Sequence, residues 1–147
     1  MSARVQYLLD TNVLSESRKR QADKHVISFL SAAEPTSLYI SVLTVGELRK
    51  GVTLKGRTDP IAAKALGTWV DGLELSFAER IVGIDVATAK LWGELSAQRP
   101  RAVVDTLLAA TAVVHGLTLV TRNTGDVGDI DVILLDPWKT DQHTRSK

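Results

Sequence analysis

Short apolar runs alternate along this chain with longer stretches in which apolar residues recur every three or four positions, the pattern of strands followed by helices. Residues 5–9 form the first run, and Asp10-Thr11-Asn12 supplies the capping residues with which a helix begins. Over 15–33, Val26, Ile27, Phe29 and Leu30 stand among charges, which predicts a helical stretch stopped at Glu34-Pro35. Residues 38–42 read as the second strand. Over 44–54, Val45, Leu48 and Val52 approximate one helix face, with Glu47 in its first turns. Asp59-Pro60 opens a further helix whose stripe of Ile61, Ala65, Leu66, Trp69, Val70 and Leu73 is either core or partner surface.

Residues 82–84 predict a third short strand, and Asp85 then caps a helix with Val86, Ala89, Trp92 and Leu95 along one side. The next helix spans 100–116, beginning just before Asp105 and ending at Gly116. Strands at 117–121 and 132–135 flank a turn-rich segment, 123–128. Alternating strands and helices predict an α/β three-layer sandwich with a mainly parallel central sheet flanked by helices. A single domain is expected over 1–138, with a frayed tail over 139–147.

Composition narrows the possibilities. The chain has 147 residues, 44% hydrophobic and 24% charged, which suits one soluble globular domain. The absence of cysteine excludes disulfides, thiolate metal sites and cysteine nucleophiles. The N-terminal apolar run is too short for a secretory signal, and the apolar region 107–120 is interrupted by His115 and Gly116, so a cytoplasmic protein without a membrane span is expected. With 18 basic and 17 acidic residues, no global field draws the molecule to polyanions. Nucleic-acid contact would have to use local patches: Arg18, Lys19, Arg20 and Lys24; Arg49, Lys50, Lys55 and Arg57; or Arg99 and Arg101.

The candidate chemistry lies in four carboxylates. Asp10, Glu47, Asp105 and Asp126 are far apart in sequence, yet each falls where a strand-like run ends or a helix-like pattern begins. Each taken alone has a simple reading: a helix cap, a solvated helix residue, a group favoured by a helix dipole, a turn former. In an open α/β sheet, however, strand ends and the following helix starts meet along one edge, so the four can converge. Leu8-Leu9 and Val103-Val104 would draw two of them towards a partly buried rim, where uncompensated like charges repel and a cation would resolve the conflict. Oxygen-only ligands fit magnesium or manganese, in either one or two positions, whereas zinc would recruit histidine or cysteine.

Four ordered runs then carry a resemblance: Leu9-Asp10-Thr11-Asn12-Val13-Leu14-Ser15-Glu16, Ser41-Val42-Leu43-Thr44-Val45-Gly46-Glu47-Leu48-Arg49-Lys50-Gly51, Asp105-Thr106-Leu107-Leu108-Ala109-Ala110-Thr111-Ala112, and Leu119-Val120-Thr121-Arg122-Asn123-Thr124-Gly125-Asp126. Together with the closing Leu134-Leu135-Asp136-Pro137-Trp138, the chain resembles PIN-domain ribonucleases, and more narrowly VapC and FitB toxins of toxin–antitoxin pairs, over nearly its whole length. The resemblance implies a Mg²⁺- or Mn²⁺-dependent ribonuclease toxin with Asp10, Glu47, Asp105 and Asp126 as catalytic metal ligands and Asn12 and Thr121 as polar support. It also implies a homodimer and a small VapB-like antitoxin. Arg18, Lys19, Arg20 and Arg122 are candidates for RNA phosphates. Two departures stand near the site: the connection from Trp92 to Asp105 is short, and no aromatic residue follows Asp126, so Asp129 and Asp131 are alternatives for the last ligand.

Rival chemistries find little support. His25, His115 and His143 form no acid–base pair, and neither a Gly-x-Ser-x-Gly elbow nor a Walker phosphate loop occurs. A receiver-like phosphotransfer domain would need a lysine ending a later strand, where Arg122 and Asn123 stand. The remaining alternative is a catalytically silent PIN-fold module that binds RNA or a protein partner.

Overall fold

The computed structural model describes residues 4–139 and the backbone of 143–145. Its strands are β1 (Tyr7–Leu9), β2 (Leu38–Ser41), β3 (Ile81–Val82), β4 (Thr118–Val120), β5 (Ile133–Leu135) and β6 (His143–Arg145). They form one sheet in the order β3-β2-β1-β4-β5-β6. The first five run parallel, as strand–helix–strand connections require, and β6 lies antiparallel at the edge. Of the tail expected to fray, 140–142 and 146–147 lie outside the described residues, and His143–Arg145 pairs with β5.

The helices are α1 (Thr11–Arg18), α2 (Lys24–Ala32), α3 (Val42–Gly56), α4 (Pro60–Ser76), α5 (Val86–Gln98) and α6 (Val103–His115). They divide between the two faces of the sheet because successive strand residues point to opposite sides. Leu8, Leu119 and Leu134 pack with Leu95 of α5 and Leu108, Ala109 and Ala112 of α6. Leu9, Val120, Leu135 and Ile40 face the other way, onto Val13, Val26, Leu48 and Val70 of α1 to α4. The result is the expected three-layer sandwich. Among the described residues no helix is long and apolar enough to cross a membrane.

Two boundaries differ instructively from the sequence expectation. The stretch 15–33 is two helices: Asp23 caps α2 by accepting from the His25 and Val26 N–H groups, while its own N–H donates to Glu16 Oε2 at 2.8 Å. The side chain of Glu16, buried at the end of α1, thereby closes a sharp corner between them. The helix expected over 100–116 begins at Val103, and residues 99–102 form a connection of their own. It ends as anticipated at Gly116, in the left-handed region at φ 67°, with the Leu117 N–H reaching back to Ala112 O at 2.9 Å.

Candidate active site

Chain order places a crevice at β1. The connections leaving β1 and arriving at β4 turn to opposite sides of the sheet, so the carboxyl ends of these neighbouring strands stand open between them. Leu9 pairs with Val120, which sets Asp10 beside Thr121. Both residues remain tied to the sheet: the Asp10 N–H donates to Val120 O at 2.9 Å and the Thr121 N–H to Leu135 O at 3.0 Å.

Asp10 is 7% exposed and anchors the site. Its Oδ1 accepts from the Thr11 N–H at 2.6 Å, which starts α1, and its Oδ2 accepts from Thr121 Oγ1 at 2.7 Å and Asn12 Nδ2 at 3.3 Å. Burial pushes its carboxyl above the ordinary range, the Thr121 and Thr11 hydrogen bonds oppose that rise, and the charge of Glu47 adds to it. Thr121 is held in turn by the Asn123 N–H, 3.0 Å from its hydroxyl.

Glu47 reaches the same edge from α3, whose start is set by Ser41 capping the Leu43 N–H. The Thr11 hydroxyl donates to Glu47 Oε1 at 2.6 Å and shares a 3.1 Å hydrogen bond with the fully buried Thr44. Asp105 lies in the first turn of α6, and Asp126 on a tight turn at Thr124–Val127. Burial raises the Asp105 carboxyl, followed in order by the charges of Asp10, Asp126 and Glu47 and by a hydrogen bond with Asp126. Four carboxylates from four separate elements therefore sense one another. Asp10, Asp105, Thr121 and Asn123 line a narrow cleft floored by Leu108 and Leu119.

Among the described residues, no three acidic or histidine side chains stand as a closed ligating group. The donor set nevertheless fits a hard divalent cation: every candidate ligand is oxygen, and Asn12 Oδ1 is buried with no hydrogen-bond partner.

The basic candidates divide. Arg18 lies over the Trp69 ring at 5.8 Å and Lys19 pairs with Glu16 at 2.9 Å; with Thr11 and Glu47 these two cations line a cleft of about 260 Å³. Arg20 is exposed on the corner after α1. Arg122 is exposed beyond β4, its guanidinium 4.8 Å from the centre of the Trp138 ring. Arg49 instead bridges Glu74 and Asp71 on α4.

Arg99 and Arg101, read in the sequence as a patch open to phosphate, both grip Asp129. Arg99 donates to its two oxygens at 2.9 and 3.0 Å, and Arg101 at 3.0 and 2.9 Å. Asp129 is thereby held far below the usual carboxylate range, first by Arg99 and then by Arg101. With both oxygens committed to guanidiniums, it is a poor candidate for the last ligand. Asp131 is exposed, and Asp126, from the same segment, meets Asp105. Sequence reasoning also passed over Thr11, although its place directly after Asp10 could have marked it.

The PIN domain family model matches residues 7–130. Toxin FitB of Neisseria gonorrhoeae is 34% identical over 138 residues, covering 89% of this chain and 97% of that protein. VapC ribonuclease Y4jK of Sinorhizobium fredii is 31% identical over 140 residues, covering 90% and 97%. Among solved structures, FitAB bound to an IR36 DNA fragment superposes with a TM-score of 0.85 at 30% identity, covering 95% of this chain and all of that one.

Proposed function

This chain belongs to the PIN-domain family and is related to its VapC and FitB toxins, and from that premise we propose that it is a metal-dependent ribonuclease toxin restrained by a cognate antitoxin. The observation that carries the reading is the hydrogen-bonded edge at which Thr121 and the Thr11 N–H hold Asp10 and the Thr11 hydroxyl holds Glu47, beside which burial and the charges of Asp10, Asp126 and Glu47 disfavour ionisation of Asp105. A cluster of carboxylates that resist their own charge is suited to a divalent cation, and a relative of similar length bears the name ribonuclease.

Asp10, Glu47, Asp105 and Asp126 would hold Mg²⁺ or Mn²⁺, with Asn12 presenting its unpartnered Oδ1. When bound, the metal supplies a nucleophile from water at neutral pH and charge stabilisation at the phosphodiester. The chain's own residues prepare that site. Thr121 and the Thr11 N–H orient the two oxygens of Asp10, and the Thr11 hydroxyl orients Glu47. Arg18, Lys19, Arg20 and Arg122 would meet RNA phosphates, where a planar guanidinium can bind two oxygens at once. The work of such a toxin lies in the cytoplasm, on cellular RNA.

The antitoxin would be a small VapB-like protein encoded beside the toxin, and the active form a homodimer. An arginine from that partner suits the carboxylates, because it replaces the cation's charge with paired hydrogen bonds.

Purified protein should cleave total cellular RNA with Mg²⁺ or Mn²⁺, and lose cleavage with chelator or with Asp105→Asn. Cleavage that survives both treatments would overturn the assignment. Metal binding without cleavage would favour the silent binding module. Co-expression with the adjacent small gene product should yield a retained complex, and persistent failure to retain it counts against the antitoxin.

A further inference from the structure

Asp126 is exposed, and it rides on a four-residue turn with no side-chain cap. Beneath the turn, Val127 and Ile130 are buried in the core, and a Cβ at Gly128 would come within 3.2 Å of Thr124 O, so the backbone is tightly folded. Around it, Arg99 and Arg101 converge from the connection before α6. The Arg101 side chain is 2% exposed and also donates to Leu95 O at 2.7 Å and Gln98 Oε1 at 2.9 Å, binding the end of α5 to Asp129. Arg99 donates to Asp126 O at 3.4 Å as well as to Asp129.

We propose that Arg99, Arg101 and Asp129 form a clamp that holds the Asp126 turn against the start of α6, making Arg101 and Asp129 positioning residues for divalent-cation binding. The inference rests on the metal-dependent reading above. A guanidinium locked between a helix-end carbonyl and a carboxylate cannot drift, and the turn that carries Asp129 three positions later is carried with it. Charge acts in the same direction. Two guanidiniums against one carboxylate leave the clamp with a surplus positive charge beside Asp126, and Arg99 feels the Asp126 charge. That surplus offsets the repulsion Asp126 meets on approaching Asp105. The connection between α5 and α6 delivers both arginines.

Calorimetric titration of the full chain with MnCl₂ alone tests the clamp without requiring RNA cleavage. Asp129→Asn should weaken Mn²⁺ affinity about 10–100-fold, the range for groups that orient metal ligands, and Arg99→Ala less. Because a buried Arg101 left without its partner can perturb folding, each variant is also made with Asp126→Asn. If the clamp acts through Asp126, Asp129→Asn will add little to the loss caused by Asp126→Asn; a purely structural role predicts full additivity. Unchanged affinity in Asp129→Asn, or full additivity, would overturn the clamp while leaving the nuclease reading intact. A wild-type chain that binds no Mn²⁺ would overturn both.

Discussion

Thr121 and Asp10, 111 positions apart, are joined by a buried 2.7 Å hydrogen bond at the carboxyl ends of two adjacent parallel strands. The donor is a hydroxyl whose backbone is pinned to β5, and the acceptor is a carboxylate whose backbone is pinned to β4. The sheet thus sets the distance and the side chains add direction.

Replacing Thr121 with valine keeps the shape and removes the donor. Hydrogen bonds to charged groups are worth about 1.5–3 kcal/mol, so Thr121→Val should lower unfolding free energy by that order at neutral pH. Denaturant titration measures it, and Thr121→Ser should recover most of the loss.

Asp105→Asn should act oppositely on folding and on metal response. Removing a carboxyl that burial and three like charges already disfavour should raise the melting temperature of the metal-free protein at pH 7. The shift produced by MnCl₂ in the wild type should vanish. Scanning calorimetry with and without metal gives both signs, and a variant less stable than wild type in chelator would refute the electrostatic account.

The metal response should also depend on acidity. Asp10 and Asp105 have folded-state pKa values above the ordinary 3.8, so charging them costs stability above those raised values and the cost is relieved as pH falls towards 3.8. Cation binding requires their deprotonated forms. Mn²⁺-induced stabilisation should therefore weaken on acidification at a higher pH than the titration of an ordinary carboxylate would set.

Asp129 should behave in the reverse sense. Arg99 and Arg101 depress its pKa, so its contribution is complete above the unfolded value and is lost as pH falls below that towards the lowered folded value. The stability gap between wild type and Asp129→Asn should be constant near neutrality and close in strong acid. A gap that persists unchanged would mean that packing, not charge, supplies the difference.

Gly116→Ala tests the end of α6 apart from any site chemistry. A side chain in the left-handed conformation costs about 1–2 kcal/mol, and with no atom within 4 Å of the added Cβ that conformational cost should stand alone. Urea midpoints would read it directly.

Periodicity made much of this architecture legible. Leu8-Leu9 and Leu119-Val120 are local apolar signals, and they located the strand ends where Asp10 and Thr121 stand. The break between α1 and α2 was not legible, because Glu16 and Asp23 stop the helix through a contact made only after the corner has folded. The same holds for Asp129. Sequence offers three aspartates within six residues, and what separates 129 from 126 is the arrival of two guanidiniums from 28 and 30 positions earlier. Exposed arginines and clamped arginines look alike until their partners are placed.

The central position of β4 bears on synthesis. It lies between β1 and β5, and neither Thr121 nor Asp126 can take its place until that strand has joined the sheet. A chain growing from its N-terminus will have emerged with Asp10, Glu47 and Asp105 while the edge of β1 that receives β4 is still bare. Under the nuclease reading, the ribosome making this protein stays out of reach of its product's complete acidic site until translation has passed residue 126.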